Sequence, residues 1–465
     1  MNEKPFTYQR RQSSVAQVGP IAIGGTNPIR IQSMTTTDTN DTEACVSQAQ
    51  RIIDAGGELV RFTTQGTREA LNMQHISQRL KAEGYTTPLV ADVHFNPNVA
   101  DVAARYCEKV RVNPGNYVDP ARTFKQLEYT DEEYQAELRK IEERFIPFLN
   151  ICREHHTAIR IGVNHGSLSD RIMSRYGDTP AGIVESCMEF LRICKREQFD
   201  DVVISIKASN TVVMVQSVRL LVGQMDREQM HYPLHLGVTE AGEGEDGRIK
   251  SAVGIGALLT EGIGDTIRVS LSEDPECEIP VARRLVDSIE ECAQLRAQAE
   301  QTIADDTISV EFHETDWELL QLKAAMTTGA LLIDRKAHKL VIRDEAFCEE
   351  RLTALADAIL QAARIKFTKT EYISCPGCGR TLYNLQDTIR RIKAATAHMK
   401  GLKIGIMGCI VNGPGEMADA DYGYVGAARG KISLYRGKKC VEKNIPEEEA
   451  VERLLALIES DRQTS

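Results

Sequence analysis

Three of the twelve cysteines stand in glycine-rich surroundings that suit close approach of the backbone to a cofactor. Cys375 and Cys378 are separated by Pro-Gly, and Cys409 lies in the run GIMGCIVNGPGE, seven residues before Glu416. Two thiols at this spacing occur in redox dithiols, zinc sites and iron–sulfur sites. A thioredoxin-type dithiol needs no third thiol, and a zinc ribbon needs a second Cys-x-x-Cys pair, which the sequence lacks. The pattern leaves an iron–sulfur cluster, zinc and simple packing open.

Glu416 would give an iron–sulfur site an open position. Three thiolates together with one weaker carboxylate would leave one iron of a [4Fe–4S] cluster exchangeable. Chemistry on a substrate requires such an open coordination position, as it does at catalytic zinc ions. The other nine cysteines lie singly, several of them on predicted helix faces, where a thiol acts as a small hydrophobic group.

A second set of candidate residues consists of cations inside apolar runs. The runs VRF, VRV, IRI, IKA and IRV hold Arg61, Arg111, Arg160, Lys207 and Arg268. Burying unpaired charge is costly, and five converging cations would repel one another. Arginine binds phosphate through two parallel hydrogen bonds, and lysine binds it as a point charge. Together the cations favour a phosphate-bearing polyanion as substrate, although each one alone could point outward or pair with a carboxylate.

Eight short apolar runs before residue 288 must position these side chains. Amphipathic helical patterns separate the runs, and this alternation predicts right-handed βαβ units with a parallel sheet. Eight such units fit a closed (β/α)₈ barrel better than an open sheet. The runs are IRIQSM, LVRFTT, PLVADV, KVRVNP, AIRIGVN, DVVISIKAS, LHLGVTEAG and TIRVSL.

The C-terminal strand ends of such a barrel form its active-site face. Besides the five cations, several polar residues lie in these runs or directly after them. They are Asp92, His94, Asn113, Asn164, Thr239, Glu240 and Ser270. We therefore expect these side chains to meet at one mouth of the barrel.

The remaining sequence predicts two further units behind a barrel domain at 1–287. Residues 288–355 contain an acidic helical stretch, the only tryptophan, and the run GALLIDRKAHKLVIRD, which we interpret as two short strands around a basic turn. This segment carries no catalytic pattern and is predicted to be an insertion. Residues 356–465 alternate helices with strands, and both cysteine loops follow predicted strands. We expect a smaller α/β domain there.

Composition and charge exclude several classes of protein. The chain has 465 residues and a net charge of −11. Its content of hydrophobic residues, 42%, is that of an ordinary globular protein. Nucleic-acid-binding proteins usually carry an excess of basic residues, so we expect no nucleic-acid partner. No apolar run approaches the roughly 18 residues of a membrane span, and the first residues lack the apolar core of a signal peptide. We expect a cytoplasmic protein without membrane contact.

Eight runs in this order resemble those of the 4-hydroxy-3-methylbut-2-enyl diphosphate synthase family, which acts in the methylerythritol phosphate route of isoprenoid biosynthesis. The resemblance covers nearly the whole chain outside 288–355, and the pairing of the two cysteine motifs is highly specific. The matching runs are PIRIQSMTTTDT, ADVHFNP, VRVNPGN, IRIGVNHGSL, HLGVTEAG, TIRVSLSEDP, CPGCGRT and GCIVNGPGE.

The resemblance implies a fold and a cofactor. The family joins an N-terminal (β/α)₈ barrel to a C-terminal α/β domain similar to those of sulfite and nitrite reductases. Its [4Fe–4S] cluster is held by three cysteines and a glutamate, which correspond to Cys375, Cys378, Cys409 and Glu416. By the same resemblance Asn412 lies close to the reacting centre beside the cluster.

The resemblance also implies a reaction. The family opens the ring of 2-C-methyl-D-erythritol 2,4-cyclodiphosphate reductively with loss of water, and reduced ferredoxin or flavodoxin supplies two electrons one at a time. Glu240 either supplies a proton or fixes a substrate hydroxyl. The residues implied to hold the diphosphate are Arg61, Arg111, Arg160, Lys207, Arg268 and Ser270, while Asp92, His94, Asn164, Thr239 and Glu240 line the same mouth.

The segment 288–355 departs from the family. Compact members pass almost directly from the barrel to the cysteine domain, whereas a larger form inserts an extra barrel-like domain there. The segment is intermediate in length, and we interpret it as a shortened remnant of the extra domain. Compact members form active sites across a homodimer. We expect a homodimer here too, and the resemblance leaves open whether the site forms within one chain.

Two alternatives lie outside this function. The first is a zinc-stabilised, phosphate-binding barrel protein without redox activity, which would be colourless and carry one zinc ion. The second is a barrel enzyme that acts on another phosphorylated or pterin-like substrate by acid–base chemistry alone. Such an enzyme would keep its activity without Cys409.

Overall fold

The computed structural model describes residues 6–120, 123, 125–411 and 413–464. None of the helices in this described part has both the length and the apolar character that crossing a bilayer requires. Asn412, one of the predicted site residues, lies outside the described residues.

A β-hairpin closes the N-terminal end of the barrel. Its strands, β1 (Val15–Val18) and β2 (Ile21–Gly24), pair antiparallel. Apolar residues of the hairpin form one buried cluster with residues near the start of four barrel strands, namely Leu59, Val90, Ala158 and Val203. Only the opposite end of the barrel is therefore available as a mouth.

Eight parallel strands form the barrel, and each lies in one of the eight predicted runs. They are β3 (Arg30–Met34), β4 (Leu59–Thr64), β5 (Leu89–Val93), β6 (Lys109–Val112), β7 (Ala158–Asn164), β8 (Val202–Lys207), β9 (His235–Leu236) and β10 (Thr266–Ile267). Their order in the sheet is β8-β7-β6-β5-β4-β3-β10-β9. A parallel bridge between Ile204 and Leu234 joins the two ends of this order and closes the ring. The predicted (β/α)₈ barrel is confirmed.

Helices alternate with the strands around the barrel. They are α1 (Thr42–Asp54), α2 (Thr67–Ala82), α3 (Pro97–Ala103), α4 (Pro114–Tyr117), α5 (Asp131–His155), α6 (Asp170–Tyr176), α7 (Pro180–Arg196), α8 (Thr211–Arg227), α9 (Gly244–Leu259) and α10 (Glu278–Asp287). The predicted N-cap of α1 is confirmed, because the Asp41 side chain accepts a hydrogen bond from the Ala44 N–H. Thr130 and Glu133 form a capping box at the start of α5, in the long charged interval where a helix is predicted.

The inserted unit is a small α/β element. It contains α11 (Ile289–Gln301), β11 (Thr307–Glu311), α12 (Trp317–Ile333), β12 (Lys339–Arg343) and α13 (Glu349–Ala362), and its two strands pair in parallel. The predicted strand at KLVIR is β12, but the predicted strand at GALLID is wrong, because these residues end helix α12. This helix is buried on every side from Leu320 to Ile333. A continuous apolar run fits a buried helix as well as a buried strand.

Close helix packing attaches the inserted unit to the barrel. A Cβ atom at Gly256 of α9 would lie 2.5 Å from Met326 Cγ, and one at Gly329 of α12 would lie 2.9 Å from the carbonyl oxygen of Val253. The two helices therefore approach each other over residues without side chains. Helix α13 also packs on α9 and β12, and it crosses the predicted boundary at residue 355.

The C-terminal domain contains a five-stranded mixed sheet with helices. Its elements are β13 (Glu371–Ser374), α14 (Leu385–Thr396), β14 (Lys403–Met407), α15 (Gly413–Glu416), β15 (Tyr422–Ala428), β16 (Lys431–Arg436), β17 (Lys439–Pro446) and α16 (Glu447–Thr464). The strand order follows the chain, with β13, β14 and β15 parallel and the later pairs antiparallel. The cysteine loops directly follow β13 and β14, as predicted.

We expect Gly329→Ala to lower the free energy of unfolding by about 1–3 kcal/mol, because the added methyl group would press on the backbone of Val253. Gly223→Ala is the matched control, since a Cβ atom at Gly223 in α8 meets nothing within 4 Å. The control should be neutral or stabilising by about 0.5–1 kcal/mol, because alanine is the better helix former. Urea unfolding measures both, and equal effects would contradict the close packing of α9 on α12.

Candidate active site

A cavity of about 750 Å³ lies between the mouth of the barrel and the C-terminal domain. All but one of the barrel residues predicted at the mouth line this cavity, the exception being Asn113, together with the three predicted thiols. They are Arg61, Asp92, His94, Arg111, Arg160, Asn164, Lys207, Thr239, Glu240, Arg268, Ser270, Cys375, Cys378 and Cys409. Parallel strands bring the barrel residues together because all the C-terminal strand ends meet at this face.

Asp92 at the end of β5 is the central carboxylate of the mouth. One of its oxygens lies 2.8 Å from Arg111 Nη1, and the other lies 3.9 Å from Arg61 Nε and 3.5 Å from Arg380 Nη2. Burial would raise the pKa of Asp92, but the cations Arg61 and Arg111 hold it well below its usual value. Asp92 is therefore a permanent negative charge that several cations share.

His94 supports Arg111 without adding charge. Burial and the neighbouring Arg111 guanidinium lower the pKa of His94 well below its usual value, so the ring is neutral. Arg111 Nη1 is in hydrogen-bond contact with His94 Nε2, and because a guanidinium can only donate, this ring nitrogen is the acceptor. Arg111 also donates to the Gly162 carbonyl oxygen at 2.9 Å. Its position is therefore set from several sides.

Arg268 forms a buried ion pair with Glu278 at the start of α10. Both nitrogen–oxygen distances of this two-pronged contact are 2.9 Å, and both side chains are almost fully buried. Glu278 also accepts hydrogen bonds from the Ser33 hydroxyl and the Leu271 N–H. For Arg268, the alternative that the cation pairs with a carboxylate is correct, and Glu278 holds the guanidinium while it lines the cavity.

Arg160 and Lys207 lack such partners. The Nε and Nη1 atoms of Arg160 are buried without a hydrogen-bond partner, and within the described ranges no ion pair or hydrogen bond reaches Lys207. Lys109, one layer below the mouth on β6, is fully buried, and its Nζ atom also has no hydrogen-bond partner there. Burial lowers the pKa of each of these three groups well below its usual value, and neighbouring cations lower it further.

The mouth therefore carries more positive than negative charge. Arg61, Arg111 and Arg380 share the single carboxylate of Asp92, while Arg160 and Lys207 form no ion pair with any residue that the structure describes. A buried excess of cations is costly unless an anion neutralises it. The arrangement favours a ligand with several negative charges, and guanidinium groups suit phosphate oxygens.

The three thiols lie on two loops opposite the barrel mouth. Cys375 and Cys378 are on the loop after β13, Cys409 is on the loop after β14, and all three are half-buried. The Gly408 N–H donates a hydrogen bond of 3.2 Å to Cys375 Sγ. Burial raises the pKa of the Cys375 thiol to about 12. Across the described part of the chain, no three His, Cys, Asp or Glu side chains come close enough to share a single metal ion.

Glu416 at the end of α15 connects the two halves of the site. Thr239 Oγ1 donates a hydrogen bond of 3.1 Å to Glu416 Oε2, and Oε1 is buried without a partner in the described residues. Burial and the adjacent Glu240 carboxyl raise the pKa of Glu416 well above its usual value. Glu240 itself has a φ of 51°, an unusual conformation for a residue other than glycine, and this places its carboxyl beside Glu416.

The C-terminal domain closes the mouth of the barrel of its own chain. Gly166 and Gly415 touch so closely that a Cβ atom at Gly415 would lie 1.7 Å from the Gly166 carbonyl oxygen. A parallel bridge pairs Ala241 with Ser374, and the Ser272 hydroxyl donates to the Cys375 carbonyl oxygen at 2.9 Å. The complete cavity is therefore formed within one chain.

Sequence reasoning missed several residues of this site. Arg380 lies in the quoted CPGCGRT motif without an assigned role, although a cation two residues after a cysteine is a readable signal. Lys109 lies two residues before Arg111 on the same strand. Because alternate residues of a strand share a face, this spacing could have placed Lys109 on the inner face of the barrel together with Arg111. Glu278 had no local signal, since it lies on a helix ten residues after its partner. Asn113, expected at the mouth, instead accepts a hydrogen bond from the Gly115 N–H and caps α4.

Comparison with known proteins gives two matching family models. The GcpE TIM-barrel domain matches residues 13–283, and the GcpE protein C-terminal domain matches residues 371–460. A relative in Bacteroides fragilis, named 4-hydroxy-3-methylbut-2-en-1-yl diphosphate synthase (flavodoxin), is 52% identical, with 98% of this chain and 96% of the relative covered. A relative of the same name in Porphyromonas gingivalis is 46% identical, with 98% of each chain covered.

These relatives are longer than this chain. The alignment with the Bacteroides fragilis protein spans 604 positions, whereas the chain has 465 residues. The relative therefore carries more than one hundred residues that this chain lacks. The two family models leave the inserted unit, from α11 to α13, unmatched between them.

We expect Glu278→Gln to lower the free energy of unfolding by about 3–5 kcal/mol, because it leaves the buried Arg268 charge without its partner. Glu142→Gln is a matched control, since Glu142 pairs with Arg196 on the surface, where both side chains are at least one-third exposed. Such a surface pair contributes about 0–1 kcal/mol. Urea unfolding compares the two variants, and a loss in Glu278→Gln no larger than the control's would refute the pairing.

Proposed function

Because the chain belongs to the GcpE family, we propose that it catalyses the reductive ring opening and dehydration of 2-C-methyl-D-erythritol 2,4-cyclodiphosphate to 4-hydroxy-3-methylbut-2-enyl diphosphate. One observation carries the proposal. A single cavity has unpaired cations on its barrel wall and three thiols on the opposite wall, and the buried Glu416 carboxyl lies beside Glu240 of the barrel wall. Such a cavity can hold a diphosphate against a redox cofactor.

The donor set around the thiols fits a [4Fe–4S] cluster. Cys375, Cys378 and Cys409 face the cavity from two glycine-containing loops, and the buried Oε1 atom of Glu416 has no partner within the described ranges, so it is free to act as a fourth ligand. These four residues would hold the cluster. When bound, it would supply electrons one at a time and present one iron with an exchangeable ligand.

The barrel mouth would bind the diphosphate. Arg160 and Lys207 would supply charges that no ion pair holds in the described part of the chain, while Arg61, Arg111 and Arg268 are held in place by carboxylates. Asn164 and Ser270 line the same cavity and can donate hydrogen bonds to phosphate oxygens. Asp92 and the neutral His94 would act by orienting Arg111, so we assign them positioning roles.

The reaction consumes two electrons and two protons and releases one water molecule. Glu240 is the proposed proton donor, because its carboxyl lines the cavity and burial raises its pKa above the usual value. Thr239 would hold Glu416 by its hydrogen bond. Asn412 remains a predicted residue of the reacting centre, outside the described part of the chain.

Flavodoxin is the proposed electron donor, since the names of the relatives include flavodoxin, and ferredoxin is the second possibility from the resemblance. The predicted homodimer and cytoplasmic location stay predictions. The geometry does not require a second chain, because the C-terminal domain meets the barrel of its own chain.

We also propose that the inserted unit is a shortened remnant of a larger extra domain, as the longer relatives suggest.

The two alternatives find no support in the geometry or the comparisons. A zinc-stabilised barrel protein would carry one zinc ion and no sulfide, whereas the relatives are named as a diphosphate synthase. A barrel enzyme without redox chemistry would not need three thiols on the wall of the cavity that holds its substrate.

We expect the protein purified without air to be brown, with about four iron and about four sulfide ions per chain. It should convert the cyclic diphosphate anaerobically with a chemical reductant or with reduced flavodoxin. Cys409→Ala should abolish turnover, whereas Cys440→Ala should not, because Cys440 lies in the same domain away from the cavity. Colourless protein with one zinc ion, or an active Cys409→Ala variant, would count against the proposed function.

Arg160→Ala should raise the KM for the cyclic diphosphate about ten- to a hundredfold, because a charged hydrogen bond to the ligand contributes about 1.5–3 kcal/mol. Iron and sulfide contents should stay at the wild-type level. Arg153→Ala is the control, since Arg153 is exposed at the far end of α5 and should leave KM unchanged. Loss of the cluster in Arg160→Ala with unaltered substrate binding would contradict the phosphate-binding role.

A further inference from the structure

Arg380 is a buried cation at the boundary between the two domains. It follows the Cys375 loop of the C-terminal domain, and only 8% of its side chain is exposed. Its Nη2 atom lies 3.5 Å from Asp92 Oδ2, so the contact crosses from the C-terminal domain to strand β5 of the barrel. Among the described residues, Arg380 is thus the one cation lining this cavity that belongs to the C-terminal domain, as the thiol loops do.

Asp92 neutralises this cation only in part. Arg111 lies closer to the carboxylate, at 2.8 Å, and Arg61 shares the same oxygen as Arg380. The Nε and Nη1 atoms of Arg380 are buried and have no hydrogen-bond partner in the described part of the chain. Because a guanidinium stays protonated in proteins, a positive charge remains in the cavity wall.

This charge lies beside two of the thiols. Burial would lower the pKa of Arg380, but Cys378 and Asp92 raise it overall. Burial raises the pKa of Cys409, and the Arg380 guanidinium opposes this rise. Arg380, Cys378 and Cys409 also line one cavity, so the guanidinium is in the near electrostatic field of anything that the thiols bind.

We propose that Arg380 is a positioning residue whose fixed charge raises the reduction potential of the bound cluster, and that its contact with Asp92 holds this charge in place. The inference rests on the proposed function, because it requires a cluster on the three cysteines. Reduction adds one negative charge to the cluster, and a nearby buried cation stabilises the reduced form more than the oxidised one. The same charge would ease transfer of each electron from the donor.

The test is the midpoint potential of the cluster, measured by anaerobic redox titration with electron paramagnetic resonance of the reduced form. Arg380→Gln should reduce the ratio of reduced to oxidised cluster at least tenfold at a fixed potential, a shift of about 59 mV for a one-electron couple. Arg380→Lys should recover most of this shift, because it keeps the charge. Arg390→Gln is the control, since Arg390 is an exposed arginine on α14 of the same domain. The midpoint potential of the cluster in this variant should equal that of the wild type.

An unchanged potential in Arg380→Gln with full iron and sulfide content would overturn the inference, and so would an equal shift in Arg380→Lys. Should the glutamine variant bind no cluster, Arg380→Met, which keeps an unbranched side chain without the charge, takes its place, and an unchanged potential in that variant would overturn the inference. A wild-type protein without any cluster would instead refute the proposed function. The two failures are therefore distinguishable.

Discussion

The whole site depends on an excess of buried positive charge at the mouth of a parallel barrel. Six cations face one cavity, and in the described chain only Asp92 and Glu278 hold them by ion pairs. Parallel strands make this possible because their C-terminal ends converge at one face. Closure by the C-terminal domain then removes water, and every charge acts more strongly in the resulting low-dielectric space. The same exclusion of water would protect the proposed cluster.

The contacts that close the cavity are backbone contacts as much as side-chain contacts. Gly166 and Gly415 bring the two domains to van der Waals distance, and the bridge from Ala241 to Ser374 extends β13 onto the loop that follows β9. The inserted unit leads the chain to this position. Arg335, just after α12, donates to the carbonyl oxygen of Ala363, and Arg364 pairs with Glu371 at the start of β13. The packing of the inserted unit on α9 therefore sets where the C-terminal domain begins.

Much of this arrangement is predictable from sequence because it rests on local patterns. A cation between apolar neighbours marks a strand whose inner face is polar, and Arg61, Arg111 and Arg160 all follow that rule. The glycine-rich cysteine loops mark the opposite wall of the cavity in the same way. Pairings between distant elements are not predictable. Nothing near Arg268 identifies Glu278 as its partner, and the apolar run at α12 fits a buried helix or a buried strand, so tertiary packing decides.

The unpaired cations also explain why such a site is costly to fold. Arg160 and Lys109 are buried with nitrogen atoms that no described residue satisfies, and burial of such groups disfavours folding. A ligand that binds only the folded state stabilises it by mass action, so bound diphosphate would return stability to the barrel. The charge that would bind the diphosphate is thus the charge that is costly to bury. Replacing these cations by apolar residues would make a more stable barrel that has lost its affinity for diphosphate.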